Sequence, residues 1–306
     1  MTVMLIVRQA LSGIVRDRGV LLLVAIFAAL VAVSAFLGWS ATNAVNAIYG
    51  QAVDWLTAQG AVVPPNPMHQ TPPLASLRNL PVYISFLGAF TAIVIGQELV
   101  ETERRAGVLP LIGSRPVPRG RVAVARMLAL LIATSFLTTV AGAVAILALL
   151  SLPLQMRAAD WGALAWALLL GWTYMSAFGL LALGFAARLQ GTAAGLLAAT
   201  VVWLAITFVL PALTGNVNPT AAINPVSALA LVPDTPFFHW SSRLLGPVSL
   251  SEAFGWLDAR TMGYLPEGLA PRAPLPLLGL WLAFVGSAAF AFHANKTLDL
   301  NGGRDA

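Results

Sequence analysis

"ETERRAGVLPLIGSRPVPRGRVAVARM", residues 101–127, is the most charged stretch of a chain in which only 9% of residues are charged. Apolar runs at 81–98 and 124–150 flank it, each close to the ~20 helical residues that cross a hydrocarbon core about 30 Å thick. A charged segment bent by Pro110, Pro116 and Pro118 between two such runs belongs at a membrane surface. Its position therefore sets the fold class: the chain leaves the bilayer, turns at its face and re-enters.

The same alternation extends along all 306 residues, 58% of them hydrophobic, with a mean hydropathy of +0.83. Six runs reach membrane-spanning length, at approximately 20–39, 81–98, 124–150, 162–185, 193–213 and 275–294. An even number of spans places both termini on one side. Of the 17 basic residues, Arg8, Arg16, Arg18, Arg104, Arg105, Arg115, Arg119, Arg121, Arg126, Arg188, Lys296 and Arg304 fall on the side of the termini. Only Arg78, Arg157, Arg243, Arg260 and Arg272 fall opposite, so the termini and the charged elbow are expected in the cytoplasm. The net charge of +5 thus marks topology rather than a nucleic-acid surface.

The first residues do not read as a cleaved signal, because Arg16, Asp17 and Arg18 interrupt them before the long apolar run. Met4, Ile6, Val7, Leu11 and Ile14 recur at helical spacing and predict an interfacial helix, with Arg8 and Arg16 toward headgroups. Two long, proline-rich connections, 40–80 and 214–274, lie on the opposite side. In the second, Ser249 and Glu252 have capping-box spacing ahead of a short amphipathic helix that carries Phe254, Trp256 and Leu257. Trp240 and Trp256 suit the outer interface. With no internal repeat and no segment able to hold a soluble core, residues 1–306 read as one all-α integral membrane domain.

Several chemistries are excluded or disfavoured. A P-loop needs a lysine in GxxxxGK[ST], and the sole lysine, Lys296 in "HANKTLDL", has no such context. Without cysteine there are neither disulfides nor thiolate metal sites. Pairing of Met68 with His69, or of His239 with Met262, is too unspecific to make a soft-metal site. An intramembrane protease would need Glu and His at ligand spacing, and "ETERR" has no HExxH beside it. The spans hold only mild polar residues (Thr134, Ser135, Thr138, Thr139, Thr173, Tyr174, Ser176 and Thr207), which suits bonding between helices or the lining of a path better than proton relay. Gly191 and Gly195, extended by Ala198 and Ala199, have the GxxxG spacing of a close helix contact, either internal or a dimer seam.

Within the elbow, Glu98, Glu101 and Arg105 continue the second span at helical spacing, and Gly107 and Pro110 then break it. Val108, Leu109, Leu111 and Ile112 form an apolar patch ringed by Glu101, Glu103, Arg104, Arg105 and Arg115, the arrangement a docking partner engages.

In order and spacing, Glu103, Arg105, Gly107, Leu109, Ser114, Arg115, Pro116, Val117, Arg119 and Gly120 resemble the segment after the second span in membrane subunits of type-2 ABC transporters, particularly the NosY-like branch. "NPVS" at 224–227 is a weaker echo, and Ala106 and Pro110 depart from the family pattern. The resemblance implies a non-catalytic permease, with the elbow as a coupling helix seated on a separate cytoplasmic ATPase that binds ATP and Mg. It also implies two copies of each subunit in the cell inner membrane. The family moves lipids, drugs or polysaccharides, and one branch drives a periplasmic partner in copper-site maturation. A membrane scaffold and a membrane-embedded enzyme are the rival classes.

Overall fold

The structure, a computed structural model, describes residues 3–66, 71–107, 109–110, 118–152, 156–191, 193–214, 235–265 and 275–298. These form helices without strands: α1 Val3–Arg16, α2 Arg18–Ala58, α3 Pro73–Arg105, α4 Arg119–Leu150, α5 Ala158–Arg188, α6 Ala194–Thr214, α7 Pro236–Leu245, α8 Leu250–Met262 and α9 Leu275–Lys296. All six expected spans are present, as α2, α3, α4, α5, α6 and α9, each long and apolar enough to cross a bilayer. The protein is an all-α integral membrane protein.

Local chemistry sets most of the boundaries. Asp17 caps α2, its Oδ1 accepting from the backbone N–H groups of Gly19 (2.7 Å) and Val20 (3.0 Å). Pro118 immediately precedes α4, where a missing N–H costs nothing. At the start of α5, Asp160 accepts from the backbone N–H of Arg157 at 2.8 Å.

The first span departs from expectation. The sequence reading places a loop from residue 40, yet α2 runs unbroken for 41 residues to Ala58, about 61 Å at 1.5 Å per residue. The apolar run stops near Trp39, but residues 40–58 contain no proline and are rich in alanine, so the helix continues after its hydrophobicity ends. Hydropathy marks where lipid ends, which is a different boundary from where a helix ends.

α5 is the axis of the bundle. It packs against α3, α4, α6, α8 and α9 and is the most enclosed of the spans, whereas α9 is the least. The α3–α5 crossing is tight because Gly96 faces Gly179, and a Cβ on Gly96 would collide with the Gly179 carbonyl. α1 packs on α4 and α3 through Val7, with Ile6, Leu11 and Ile14 half-buried, as its amphipathic pattern requires; Met4 instead points outward. Two spans contain a single π turn, Ile84–Gly88 in α3 and Ala205–Val209 in α6. The turns meet: Trp203 packs on Phe86, Phe90 and Phe208, and its indole N–H donates to the Ser85 carbonyl at 3.3 Å.

Candidate functional site

The ends of α3, α4, α5 and α9 converge where the elbow leaves the bundle. Glu103 precedes the elbow and Arg126 follows it; Arg126 donates through Nη2 to Glu103 and through Nη1 to Asn295 Oδ1 at 2.8 Å. Asn295, on α9, in turn donates to the Ala291 carbonyl (2.9 Å) and the Leu183 carbonyl (3.5 Å). Arg104 donates to the Ala186 carbonyl at 2.8 Å and the Leu189 carbonyl at 3.4 Å, capping the open C-terminal end of α5. Arg104 also pairs with Glu101 at 3.0 Å. Glu98 receives Arg105 at 3.0 Å and the Thr102 hydroxyl at 3.0 Å.

This arrangement revises the sequence reading of the elbow's charges. Glu101 is fully buried, so it does not belong to a solvated rim, and Arg126, 1% exposed, is buried with it. Burying an ion is costly unless it is paired and hydrogen-bonded, and these are paired within the chain, Glu101 with Arg104 and Arg105 of its own helix and Arg126 with Glu103 across helices. Two of their atoms have no hydrogen-bond partner among the described residues: Arg126 Nε, and Glu101 Oε1, which lies 3.4 Å from Arg105 Nε as an ion pair. Of the apolar docking residues, Leu109 is 5% exposed and packs into the hydrophobic core, which removes it from an exposed patch. Val108, Leu111, Ile112 and Arg115 lie outside the described residues, as do Met68, His69 and "NPVS". Gly107 ends α3 at φ 64°, a left-handed conformation that lets the chain turn away from the helix.

The sequence reading missed Arg126 and Asn295 as members of the site, treating Arg126 only as a topology marker. A signal existed: Arg126 sits two residues inside an apolar run, where a charge is expensive and needs a partner.

The candidate dimer seam is also redistributed. Gly195 and Ala199 are buried inside the chain, and a Cβ on Gly195 would lie 2.7 Å from Ala186 Cα. The close approach they permit is thus made with the chain's own α5. Gly191 is exposed at the α5–α6 turn and Ala198 is half-buried.

The opposite end is built differently. Ser249 caps α8, accepting from the Glu252 N–H at 3.4 Å, as its spacing predicts. α8 is more deeply seated than a surface helix, because it packs against both α5 and α9 and stacks Phe254 on Tyr174 with ring centroids 4.9 Å apart. The Glu252 side chain accepts from the Thr214 hydroxyl at the end of α6. Asp258 is buried, and burial pushes its carboxyl up to about 7, even though the Tyr264 hydroxyl donates to it at 2.9 Å. Tyr264 is raised too, by its own burial and by the adjacent carboxylate. His239 is exposed on α7 while Met262 is buried on α8. Among the described residues, no three His, Asp or Glu side chains cluster to hold a metal.

Hydroxyls within the spans mostly serve packing. Thr134 and Ser176 bond across α4 and α5 at 2.9 Å, and Tyr174 meets Thr207 at 3.4 Å. Ser135, Thr138, Thr139 and Thr173 each donate to the carbonyl four residues earlier in their own helices.

Six spans, with an interhelical charge network at one end, define a multi-pass membrane protein. The chain belongs to the ABC-2 family transporter proteins, whose family model matches residues 4–251. No curated protein matches it.

Proposed function

We propose that this chain is the permease subunit of an ATP-binding-cassette exporter, driven by a separate cytoplasmic ATPase that binds ATP and Mg. The observation that carries this reading is the family match across both arms of the elbow, joined to the geometry at its root. Glu103 and Arg126 tie the two arms together, Asn295 ties them to α9, and Arg104 ties them to α5. A push on the elbow therefore moves four helix ends as one body, which is what conversion of an ATPase stroke into helix rearrangement requires. The docking residues are assigned as Val108, Leu111, Ile112 and Arg115, together with the half-exposed Arg105. Glu101, Glu103, Arg104 and Leu109, held within the bundle, act as positioning residues for them.

Twelve of the basic residues lie on the elbow side by span count, supporting cytoplasmic termini in the inner membrane. The complex is proposed to hold two permeases and two ATPases. Purification of the intact complex from native membranes tests the reading: an ATPase chain should co-elute in equal amount. Charge substitution at Leu111 or Ile112 should then abolish stimulated ATPase activity while leaving membrane insertion intact. A permease that elutes without an ATPase overturns the assignment, and a co-eluting periplasmic protein assigns the chain to the force-transmitting NosY-like branch.

A further inference from the structure

The outer part of α2 is a helix with two unlike faces. After Trp39 its sequence is no longer apolar enough for lipid, yet residues 40–58 add about 28 Å of helix beyond the membrane-length run. One face is covered by the chain's own return segment: Asn66 donates to Asn46 Oδ1 at 3.1 Å and the Tyr49 hydroxyl donates to the Pro64 carbonyl at 2.8 Å. Thr42 on that face is buried, and Val53 and Leu56 are half-buried. The other face carries Ala41, Val45, Ile48, Ala52 and Trp55, all exposed, Ile48 at 67% and Trp55 at 61%.

These five residues follow one another at steps of four, three, four and three, the 3.5-residue period that keeps a seam facing a partner helix. The segment has almost none of the charge that normally solvates a free helix: Asp54 is the one Asp, Glu, Lys or Arg between Arg18 and Arg78. At steps of four the ridge continues into exposed Leu37 and Val33, inside the membrane-length run.

We infer that this face is an interaction surface for the same helix of a second copy, forming a short parallel two-helix pair outside the membrane. Three features select that occupant. Copies inserted in one membrane with one topology present this helix on the same side and in the same direction, so a parallel pair about a two-fold axis needs no other component. The seam and its flanks contain no charge, so self-pairing opposes no like charges, and an oppositely charged partner would find nothing to recognise. Five side chains bury less than the about 1,600 Å² of a typical stable solution complex, but chains confined to one membrane and held by a shared assembly meet at high effective concentration.

The absence of cysteine makes the test direct. Full-length Ile48→Cys and Ala52→Cys, each as a single variant in native membranes, are treated with a mild oxidant and compared with Ala47→Cys and Asp54→Cys, which are exposed but off the seam. The expected result is a covalent species of twice the chain's mass at the seam positions, at least tenfold above the off-seam pair. No dimer at either seam position, equal yields at all four, or an adduct whose mass reveals a different protein would each overturn self-pairing. The readout needs no nucleotide and no ATPase, so its failure is distinct from failure of the permease assignment.

Discussion

The two ends of this bundle bury polar groups by opposite means. At the elbow end, arginines cross from one helix to the next and each buried charge meets a countercharge or a carbonyl. At the far end, the buried Glu252 accepts from the Thr214 hydroxyl and the buried Asp258 from the Tyr264 hydroxyl. Ion pairs fix geometry strongly but fail badly when one member is lost, whereas a carboxyl held by a hydroxyl tolerates being neutral. The elbow end is thus cross-braced by charge, and the far end carries a carboxyl, Asp258, that changes protonation near neutral pH.

Breaking this contrast should be most visible at Arg126. Arg126→Ala leaves Glu103 and Asn295 facing a void, and a loss of roughly 3–5 kcal/mol is expected for a broken buried pair. Thermal melting in detergent should show a large fall, against a change of about 1 kcal/mol or less for Glu252→Gln, which keeps an acceptor for Thr214. Equal falls would remove the distinction between the two ends.

The next effect is a pH dependence at the far end. The Asp258 carboxyl is raised to about 7 when folded, so the folded chain holds its proton more tightly than the unfolded chain. Stability from this group is present at low pH and is lost as pH rises from about 4 to about 7, amounting to roughly 2 kcal/mol across pH 5 to 7.5. Melting curves of the parent chain should drift downward over that range, while those of Asp258→Asn lack the drift.

Smaller effects sharpen the comparison at mid-span, where neither ions nor carboxyls are used. Trp203→Phe removes the donor to the Ser85 carbonyl between the two π turns and should cost about 1 kcal/mol in the same melting assay. Thr134→Val removes the α4–α5 bond to Ser176, and a cost of about 0.6 kcal/mol is expected for a hydrogen bond between membrane helices.

Much of this architecture is written in short-range pattern. Apolar run length located all six spans, and the Ser249 and Glu252 spacing located α8, because bilayer thickness and helix capping are decided within about 20 residues. What escaped was decided by meetings between distant residues. Arg126 finds Asn295 across 169 positions, and nothing near either residue announces the other. Leu109 reads as part of an exposed patch because its neighbours are charged, yet the fold turns it into the core. The continuation of α2 past Trp39 was legible in the absence of proline, but a hydropathy reading ends where apolarity does.

The paired π turns change how α3 and α6 relate to their own sequences. A π turn holds one residue more than the α-helical path it replaces, and one residue corresponds to about 100° around a helix. A helical wheel drawn straight through Ala194–Thr214 therefore assigns Thr214 to the wrong azimuth relative to Gly195. The slip at Ala205–Val209 lies between Gly195, set against α5, and Thr214, set against Glu252. Within these two turns, deleting a single residue can be absorbed by reversion to α-helix; elsewhere in the same spans it would rotate every later side chain off its neighbour.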